Sequence, residues 1–467
     1  MTDNGISRRG FLGTAAALAA AVPLLPAPAL AAARSPSGRA ARARVGAACP
    51  GLDIVRVTDD GYAVHVEPSL AANPRRPGNL LGASQAWTGD GADMIATYAS
   101  FDGGRTWRAG GALPLPPGGT EANDVTIAFD GAGRGYVCAT VIGSGGRDDR
   151  GAWIWRTADG GRTFAPPVPV VSGVFVDHPC MTVDTTGGVH VAWVAEDHDA
   201  LGYGRSTDGG DTFAVVNTDL PPVAFSVNAP VVAAGADGGV YVLFAGGNPH
   251  SSDPDDDDKE PPPGDPQDDV QPMIAYSSAD GGLTFGGPVV LGRGVMDPVL
   301  AGGVKPVASP ALAASRGRPA AYAAYVSHET GAPRSSVCVA ATDDRGRTWA
   351  EPVTVSAGDG VVLFMPQLAT DPGGRLVLTA FALSGGLVDV LMWTSPACRP
   401  PQFGEPRRIT SRPFDPNPAA GGVYNPKHGA WWIGDYQGLV WTPAGVRPFW
   451  NATTGTSLEL YTTLVPY

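Results

Sequence analysis

The stretch Ser100-Phe101-Asp102-Gly103-Gly104-Arg105-Thr106-Trp107 is written, with variation, five times along the chain. The other four copies occupy residues 157–164, 206–213, 278–285 and 342–349. All five share the frame Ser/Thr-x-Asp-x-Gly-x-Thr-Trp/Phe, and their aspartates lie 57, 49, 72 and 64 residues apart by subtraction of their numbers. A motif that recurs at a spacing of this size is typical of a fold built from repeated blades.

The residue types of this frame predict a tight turn at the corner of a β-hairpin. The aspartate carboxylate accepts hydrogen bonds from backbone N–H groups one or two residues further on, which closes the turn. The second glycine supplies a positive φ that other residues resist, and the final aromatic starts the next strand and buries its ring. We therefore assign a structural rather than a catalytic role to the five aspartates, which are Asp102, Asp159, Asp208, Asp280 and Asp344.

The repeated frame resembles the Asp-box, the bacterial neuraminidase repeat of the sialidase superfamily. The resemblance extends over nearly the whole chain after its N-terminal segment. It implies an all-β fold, a β-propeller of four-stranded blades. It implies less about activity, because propellers host many functions.

A second repeat, out of phase with the first, is an apolar strand that often begins with proline, as in Pro179-Cys180-Met181-Thr182-Val183. Small apolar residues suit the innermost strand of a blade, where blades crowd the axis. Together the two repeats divide the chain into units of four strands at 67–115, 121–171, 176–222, 226–293, 304–356 and 363–412. A final segment, from Trp431 to Leu464, reads as about three strands without the frame.

The unit count predicts seven blades. Strands at 53–57 and 62–66 alternate around Asp59-Asp60-Gly61 and predict a hairpin. These N-terminal strands would pair with the C-terminal strands, complete the last blade and remove the open edges of the ring. Six blades, the number found in sialidases, is the alternative if the tail belongs to a shared blade.

The N-terminus carries a targeting signal. Residues 1–33 read as a twin-arginine signal peptide, in which Ser7-Arg8-Arg9-Gly10-Phe11-Leu12 precedes an apolar run and a small-residue cleavage site at Ala29-Leu30-Ala31. Residues 34–50 predict a disordered linker, and residues 51–467 a single propeller domain. We therefore expect a secreted, periplasmic or cell-surface protein.

Export permits disulfides, but the odd number of cysteines leaves at least one thiol unpaired. The pairing is open among the five, which are Cys49, Cys138, Cys180, Cys338 and Cys398. A net charge of −13 disfavours a nucleic-acid partner. No stretch after the signal reaches transmembrane length, and no oligomer signal is present, so we expect a monomer without a membrane span.

An acidic insertion at 251–270 contains the run Asp255-Asp256-Asp257-Asp258 and accounts for the longest repeat spacing. A calcium-binding loop is one interpretation, but the run lacks the glycine that a compact calcium loop needs at its bend. We favour a solvated surface loop. The sequence requires no cofactor, and calcium is the one candidate.

In propellers of the sialidase superfamily the site lies on the axis, at the mouth where the inner strands begin. The resemblance therefore makes the polar residues just before each inner strand the candidate ligand contacts, and these are Glu67, Asn123, Asp124, Asp177, His178, Asn228, Lys305 and Asp435. Their convergence would form a concave polar site. Structural ties between blades are the alternative, and a divalent cation held by Glu67, Asp124 and Asp177 is a further hypothesis.

Sialidases hold the substrate carboxylate with three arginines, the first in an Arg-Ile-Pro triplet. The matching triplet here is Val66-Glu67-Pro68, and the later positions fall at Asn228-Ala229-Pro230 and Ser309-Pro310. Without that cationic clamp a substrate carboxylate would be unpaired or repelled. Hydrolysis of sialosides is therefore disfavoured.

The resemblance also implies catalytic residues. Asp90 or Asp93 occupies the region of the sialidase general acid/base, and Tyr436, or else Tyr424, that of the tyrosine nucleophile. Two functions follow. The first is an exported, sialidase-like glycoside hydrolase or lyase whose substrate is a glycan other than a sialoside. The alternative is a non-catalytic propeller that binds extracellular carbohydrate or protein, through an axial cation in one version, so enzymatic activity is left open.

Overall fold

Antiparallel β-strands, taken in sequence order, build the chain. The computed structural model describes residues 51–87, 93–196, 200–216, 226–247, 270–295, 309–328, 335–416, 423–425 and 430–466. The signal peptide, the linker, Asp90, Lys305, Cys49 and the acidic insertion up to residue 269 lie outside these residues. No helix of the described chain is long and apolar enough to cross a membrane.

The strands fall into sheets that we number in chain order. After β1 (Ile54–Arg56), sheet 1 contains β2 (Val64–Ala72), β3 (Leu80–Trp87), β4 (Met94–Ser100) and β5 (Arg108–Ala112). Sheet 2 contains β6 (Gly119–Phe129), β7 (Gly135–Gly143), β8 (Gly146–Thr157) and β9 (Val168–Val174). Sheet 3 contains β10 (Asp177–Val183), β11 (Val189–Ala195), β12 (Ala200–Ser206) and β13 (Ala214–Val216).

Sheet 4 contains β14 (Ser226–Ala234), β15 (Val240–Gly247), β16 (Val270–Ser278) and β17 (Gly286–Val295), with a 3-10 turn at Ala236–Gly238. Sheet 5 contains β18 (Ala311–Ala314), β19 (Ala321–His328), β20 (Ser335–Thr342) and β21 (Val353–Val355). Sheet 6 contains β22 (Val362–Thr370), β23 (Leu376–Ser384), β24 (Leu387–Ser395) and β25 (Arg407–Arg408). A ribbon of β26 (Val423–Asn425) and β27 (Ala430–Trp432) precedes the terminal sheet of β28 (Gly438–Thr442), β29 (Gly445–Thr454) and β30 (Ser457–Thr463).

The predicted all-β class and the four-stranded units are confirmed, since each of sheets 1 to 6 takes its four strands from consecutive chain. Apolar clusters fill the spaces between neighbouring sheets. One cluster joins Leu81 of sheet 1 to Val137 of sheet 2, and another joins Cys138 of sheet 2 to Val191 of sheet 3. The core is therefore a series of layers between sheets.

The predicted N-terminal hairpin is wrong. β1 pairs antiparallel with β30, with Ile54 opposite Thr463, while β2 starts sheet 1 and meets β30 in a parallel pair of Val64 and Leu458. Of the predicted turn Asp59-Asp60-Gly61, only the Asp60 side chain enters the interior, while Asp59 and Gly61 are exposed. Asp60 accepts a hydrogen bond of 2.6 Å from the Tyr98 hydroxyl. Both N-terminal segments therefore pair with the edge of β30 that lies opposite β29.

The five repeated turns close over a longer span than predicted. In the second turn Asp159 Oδ1 accepts hydrogen bonds from the backbone N–H groups of Arg162 at 2.8 Å and Thr163 at 3.0 Å, three and four residues further on. The prediction of one or two residues is wrong because two successive residues adopt positive φ before the chain returns to the carboxylate. In the fifth turn one of these is Arg345, at φ 63°.

The second glycine of each turn has the predicted positive φ and also lies against another sheet. A Cβ atom on Gly161 would lie 2.7 Å from Leu81 Cδ1 of sheet 1, and one on Gly104 would lie 2.7 Å from the Arg447 guanidinium of the terminal sheet. The other three turns likewise meet the preceding sheet, at Tyr136, Tyr203 and Ser277. Each turn thus contacts the sheet before it, and the first turn contacts the terminal sheet.

A bulge interrupts the first strand of five sheets just before the proline position. There a residue with a Cβ atom adopts left-handed φ, and these residues are Glu67 (56°), Asp124 (55°), His178 (46°), Ala229 (45°) and Met365 (46°). Ladder pairing skips two residues at each site, as between Val66 and Ser69. Left-handed φ is uncommon for such residues and disfavours the folded state locally. At four of the five bulges the following residue is a proline, which has no N–H to leave unpaired, while Val125 follows Asp124.

We predict that Asp159→Ala lowers the free energy of unfolding near neutral pH by about 1–2 kcal/mol, because the half-exposed turn loses charge-assisted hydrogen bonds. Although partial burial works to raise it, hydrogen bonds from Thr163, Thr157 and Arg162 lower the pKa of Asp159 to about 2 from 3.8. This stabilisation is present above pH 3.8 and is lost as pH falls through about 2. Urea unfolding across that range checks it, with exposed Asp59→Ala as control. An equal effect of Asp159→Ala at all pH values would contradict the prediction.

We predict opposite effects of glycine at two alanines of β14. Ala229→Gly should raise the free energy of unfolding by up to about 1 kcal/mol, because glycine removes the Cβ clash of left-handed φ. Ala233→Gly, at a regular ladder position opposite Tyr241, should lower it by about 1 kcal/mol. Thermal and urea unfolding of the two variants measure the difference. Equal destabilisation by both would show that the bulge is not strained.

Candidate functional site

The first strands of sheets 1 to 6 and the segment before β28 surround a cavity of about 630 Å³, its open mouth included. The lining residues are Ser69, Asp124, Thr126, His178, Pro179, Cys180, Ala229, Pro230, Val231, Val232, Ser309, Pro310, Ala311, Leu312, Gln367, Tyr436 and Gln437. They come from the segments predicted to begin the inner strands. Of the predicted site residues, Asp124, His178 and Tyr436 line this cavity.

Side-chain hydrogen bonds hold these first strands next to one another. Ser69 Oγ of sheet 1 accepts a hydrogen bond of 3.1 Å from the Ile127 N–H of sheet 2. Thr126 Oγ1 repeats this contact, at 3.1 Å, with Met181 of sheet 3. The residue two positions after the bulge therefore lines the cavity and also accepts a hydrogen bond from the first strand of the next sheet.

A cluster of titratable groups lies at the polar side of the cavity. The Tyr436 hydroxyl lies 3.3 Å from Glu67 Oε2 and 3.1 Å from the carbonyl oxygen of Val125. His178 Nε2 lies 3.3 Å from Asp435 Oδ2. These contacts join residues that are far apart in sequence, as Glu67 and Tyr436 show with a separation of 369.

Neighbouring groups outside the charged set orient the carboxylates. Thr140 Oγ1 of β7 donates a hydrogen bond of 3.0 Å to Asp124 Oδ2. Trp432 Nε1 donates to Asp435 Oδ1. Asp124 and Asp435 therefore each have one carboxylate oxygen held in place by a neutral hydrogen-bond donor.

Burial and neighbouring negative charges raise the pKa values of the two buried carboxyls, Glu67 and Asp124, to different extents. Burial, together with the negative charges of Asp124 and Asp435, raises the pKa of Glu67 well above its usual value of 4.5. Burial also raises the pKa of Asp124 to about 6, although the nearby His178 opposes this shift. Near neutral pH Glu67 therefore holds its proton more strongly than an exposed glutamate does.

The two other titratable groups in the cluster respond to the same charges. Burial works to lower the pKa of His178, but the carboxylates of Asp124, Asp435 and Asp177 outweigh it and raise that pKa well above 6.5. Burial, with Glu67 and Asp124 nearby, raises the pKa of Tyr436 well above 10.0. The cluster thus contains an imidazolium among carboxylates and a neutral phenol.

The structure brings together five of the predicted site residues, which are Glu67, Asp124, His178, Asp435 and Tyr436. Glu67 and Asp435 lie behind the cavity wall, and three other predicted contacts have different surroundings. Asp177 lies 3.4 Å from Arg150, Asn228 donates to Gln271, and the side-chain oxygen of Asn123 has no described partner. Asp90 and Lys305 lie outside the described residues, as does the side chain of Tyr424.

Asp93 is partly buried next to Gln85 and Glu121. Gln85 Nε2 donates a hydrogen bond of 2.9 Å to its carboxylate. Burial and the nearby Glu121 raise the pKa of Asp93. The proposed acid/base role of Asp93 stays a prediction.

The cation hypothesis for Glu67, Asp124 and Asp177 gains no support. No three His, Cys, Asp or Glu side chains of the described chain form a group that could hold a metal ion. Asp177 is instead engaged with Arg150. The four described cysteines, Cys138, Cys180, Cys338 and Cys398, are free thiols.

The cavity contains several residues that the sequence interpretation missed. Ser69, Thr126, Cys180, Gln367 and Gln437 all follow the proline position or its equivalent and all line the cavity. The sequence feature that could have identified them is their shared position, directly after the proline position of the repeated inner strand or its equivalent. The sequence interpretation treated that strand only as a source of small apolar residues. Thr140 and Trp432 carry no comparable sequence signal because they belong to neighbouring strands.

No protein-family profile and no curated protein matches this chain. Solved structures that resemble it include an ulvan lyase of polysaccharide lyase family PL25, with 10% identity, 87% of this chain and 96% of that chain covered, and a TM-score of 0.49. A GH93 α-L-arabinofuranosidase of Fusarium graminearum gives 12% identity, 89% and 97% coverage and a TM-score of 0.47. A leech intramolecular trans-sialidase gives 13% identity, 68% and 65% coverage and a TM-score of 0.47. Similarity at this level assigns no activity.

We predict that Glu67→Gln stabilises the protein more as pH rises. The folded chain raises the pKa of Glu67, so the stabilising contribution of its protonated carboxyl is fully present below pH 4.5 and is lost as pH rises toward the folded pKa. Glutamine keeps the shape of the side chain and removes that ionisation. Melting temperatures at about pH 4 and about pH 8 check the sign, with exposed Glu405→Gln as control. A variant less stable than wild type by the same margin at both pH values would refute it.

Proposed function

We propose that the chain is an exported, sialidase-like Asp-box β-propeller that acts on extracellular glycans, with the cavity as its active site. The observation that carries the proposal is the cluster at the cavity wall, where Asp124, His178 and Tyr436 face the space and Glu67 and Asp435 lie behind them. Groups whose pKa values are pushed apart in a concave site are typical of acid–base catalysis.

The propeller arrangement with seven blades is part of the proposal. The four-stranded sheets 1 to 6 and the terminal sheet, completed by β1, supply seven units. The contact of Gly104 in the first repeated turn with Arg447 in the terminal sheet supports a closed ring. A ring of this kind would place the first strands around the axis.

The chemistry divides between the two carboxyls. Asp124, with its pKa raised to about 6, is ionised at neutral pH and lines the cavity, so it is suited to act as the general base toward water. Glu67 retains its proton and contacts Tyr436, whose hydroxyl reaches the cavity, so the pair is suited to protonate the leaving oxygen. After cleavage Asp124 releases to solvent the proton that it took from water, and Glu67 takes a proton up from solvent, so each cycle consumes a water molecule and restores both side chains.

We predict that one or more glycosides in a fluorogenic panel, which includes an α-sialoside, are hydrolysed. Asp124→Asn and Glu67→Gln should each reduce kcat by at least about 100-fold, the size of a general acid or base contribution. The exposed Asp211→Asn is the matched control, and Asp93→Asn tests the sequence prediction for that residue. Full activity of both Asp124→Asn and Glu67→Gln would remove the cavity from the mechanism, and turnover of the sialoside would show that the arginines are dispensable.

A second candidate is a propeller that binds glycan without cleaving it. One observation favours it: Glu67 is 1% exposed and Tyr436 already contacts both Glu67 and Val125, so the pair has the contacts of a structural tie. If no glycoside of the panel is hydrolysed but calorimetric titration with a glycan releases heat, the protein binds glycan without cleaving it.

A further inference from the structure

We propose that the cavity accepts an uncharged sugar unit, selecting against both carboxylated and amino sugars. This inference rests on the proposed function and specifies its substrate class. It follows from three properties of the wall, which are internally paired charges, an apolar sector and buried polar atoms without partners. Each property limits the ligand in a different way.

The charges of the cluster neutralise one another. His178 lies 3.3 Å from Asp435, and Arg150 lies 3.4 Å from Asp177. No arginine or lysine is among the described residues that line the cavity. A ligand carboxylate would therefore lose its hydration without gaining a cation, next to Asp124.

A ligand ammonium group meets the converse difficulty. The positively charged His178 lies on the same wall as Asp124 and already interacts with its charge. An ammonium that approached Asp124 would compete with the imidazolium for it. The desolvation of the ligand cation would then go largely uncompensated.

The apolar sector comes from the first strands of sheets 4 and 5. Pro230, Val231, Pro310 and Leu312 line this part of the cavity. Sugar rings carry C–H groups on their faces as well as hydroxyls at their edges. Such a surface buries the C–H face of a ring and offers nothing to a charged substituent.

Two buried polar atoms of the lining lack partners. Gln437 is 6% exposed and Ser309 is 4% exposed, and neither Gln437 Oε1 nor Ser309 Oγ has a hydrogen-bond partner among the described groups. A buried acceptor without a donor destabilises the folded state unless a ligand supplies one. The neutral hydroxyls of a sugar carry such donors without adding charge.

The test is calorimetric titration of the mature protein with matched methyl glycosides that differ in a single group. The pairs are glucoside with glucuronide, galactoside with galacturonide, and glucoside with glucosaminide. In the hexose series that binds, we expect the neutral member to bind at least 10-fold more tightly than its carboxylated and amino counterparts. Val231→Thr, which replaces a methyl of the apolar sector by a hydroxyl at nearly constant volume, should weaken the neutral sugar about 3- to 10-fold.

Val215→Thr is the matched control, since Val215 is 40% exposed in sheet 3 and outside the cavity. Equal or tighter binding of a glucuronide, galacturonide or glucosaminide would overturn the inference and leave the proposed function standing. Neutral binding that Val231→Thr leaves unchanged would also overturn it, because the apolar sector would then not contact the sugar. Absence of binding and of turnover for every glycoside would overturn the proposed function, and the inference with it.

Discussion

The close approach of one glycine in each repeated turn to the neighbouring sheet is the constraint on which the structure depends. The aspartate holds the turn rigid from within, so its backbone becomes a fixed surface. The missing side chain at Gly161 lets that surface lie directly against Leu81, and Gly104 does the same against Arg447. Since the turns set how neighbouring sheets stack, they also set how the first strands, at the other side of each sheet, surround the cavity.

The first strands contain residues whose backbone conformation is locally strained. The bulges at Glu67, Asp124 and His178 adopt left-handed φ, at about 1–3 kcal/mol each in general. The regular ladders on both sides of each bulge hold these residues in place. All three strained residues belong to the titratable cluster, whereas the equivalents Ala229 and Met365 contribute no charge. Strain and charge thus coincide on one side of the cavity.

The sequence predicted features that depend on local chemistry. The turn frame and the inner-strand repeat placed the units within a few residues, as with 67–115 against Val64–Ala112 for sheet 1. Features that depend on stacking were missed. Nothing in the sequence around Glu67 or Tyr436 shows that the two side chains meet across 369 positions. The residue before a proline normally favours extended φ, so the left-handed residues Glu67, His178, Ala229 and Met365 contradict the local rule. The burial of Asp60 beneath Tyr98 likewise required knowledge of β30.

The strand β30 has a consequence for how the protein reaches its folded state. It pairs with β29 on one side and with β1 and the start of β2 on the other, so residues near both ends of the domain share one set of backbone hydrogen bonds. During synthesis, sheets 2 to 6 can form as they emerge, but β1 has no partner strand until β30 has been made. The domain therefore completes its folding only after β30 emerges, and loss of β1 or β30 would leave an unpaired strand edge open to aggregation.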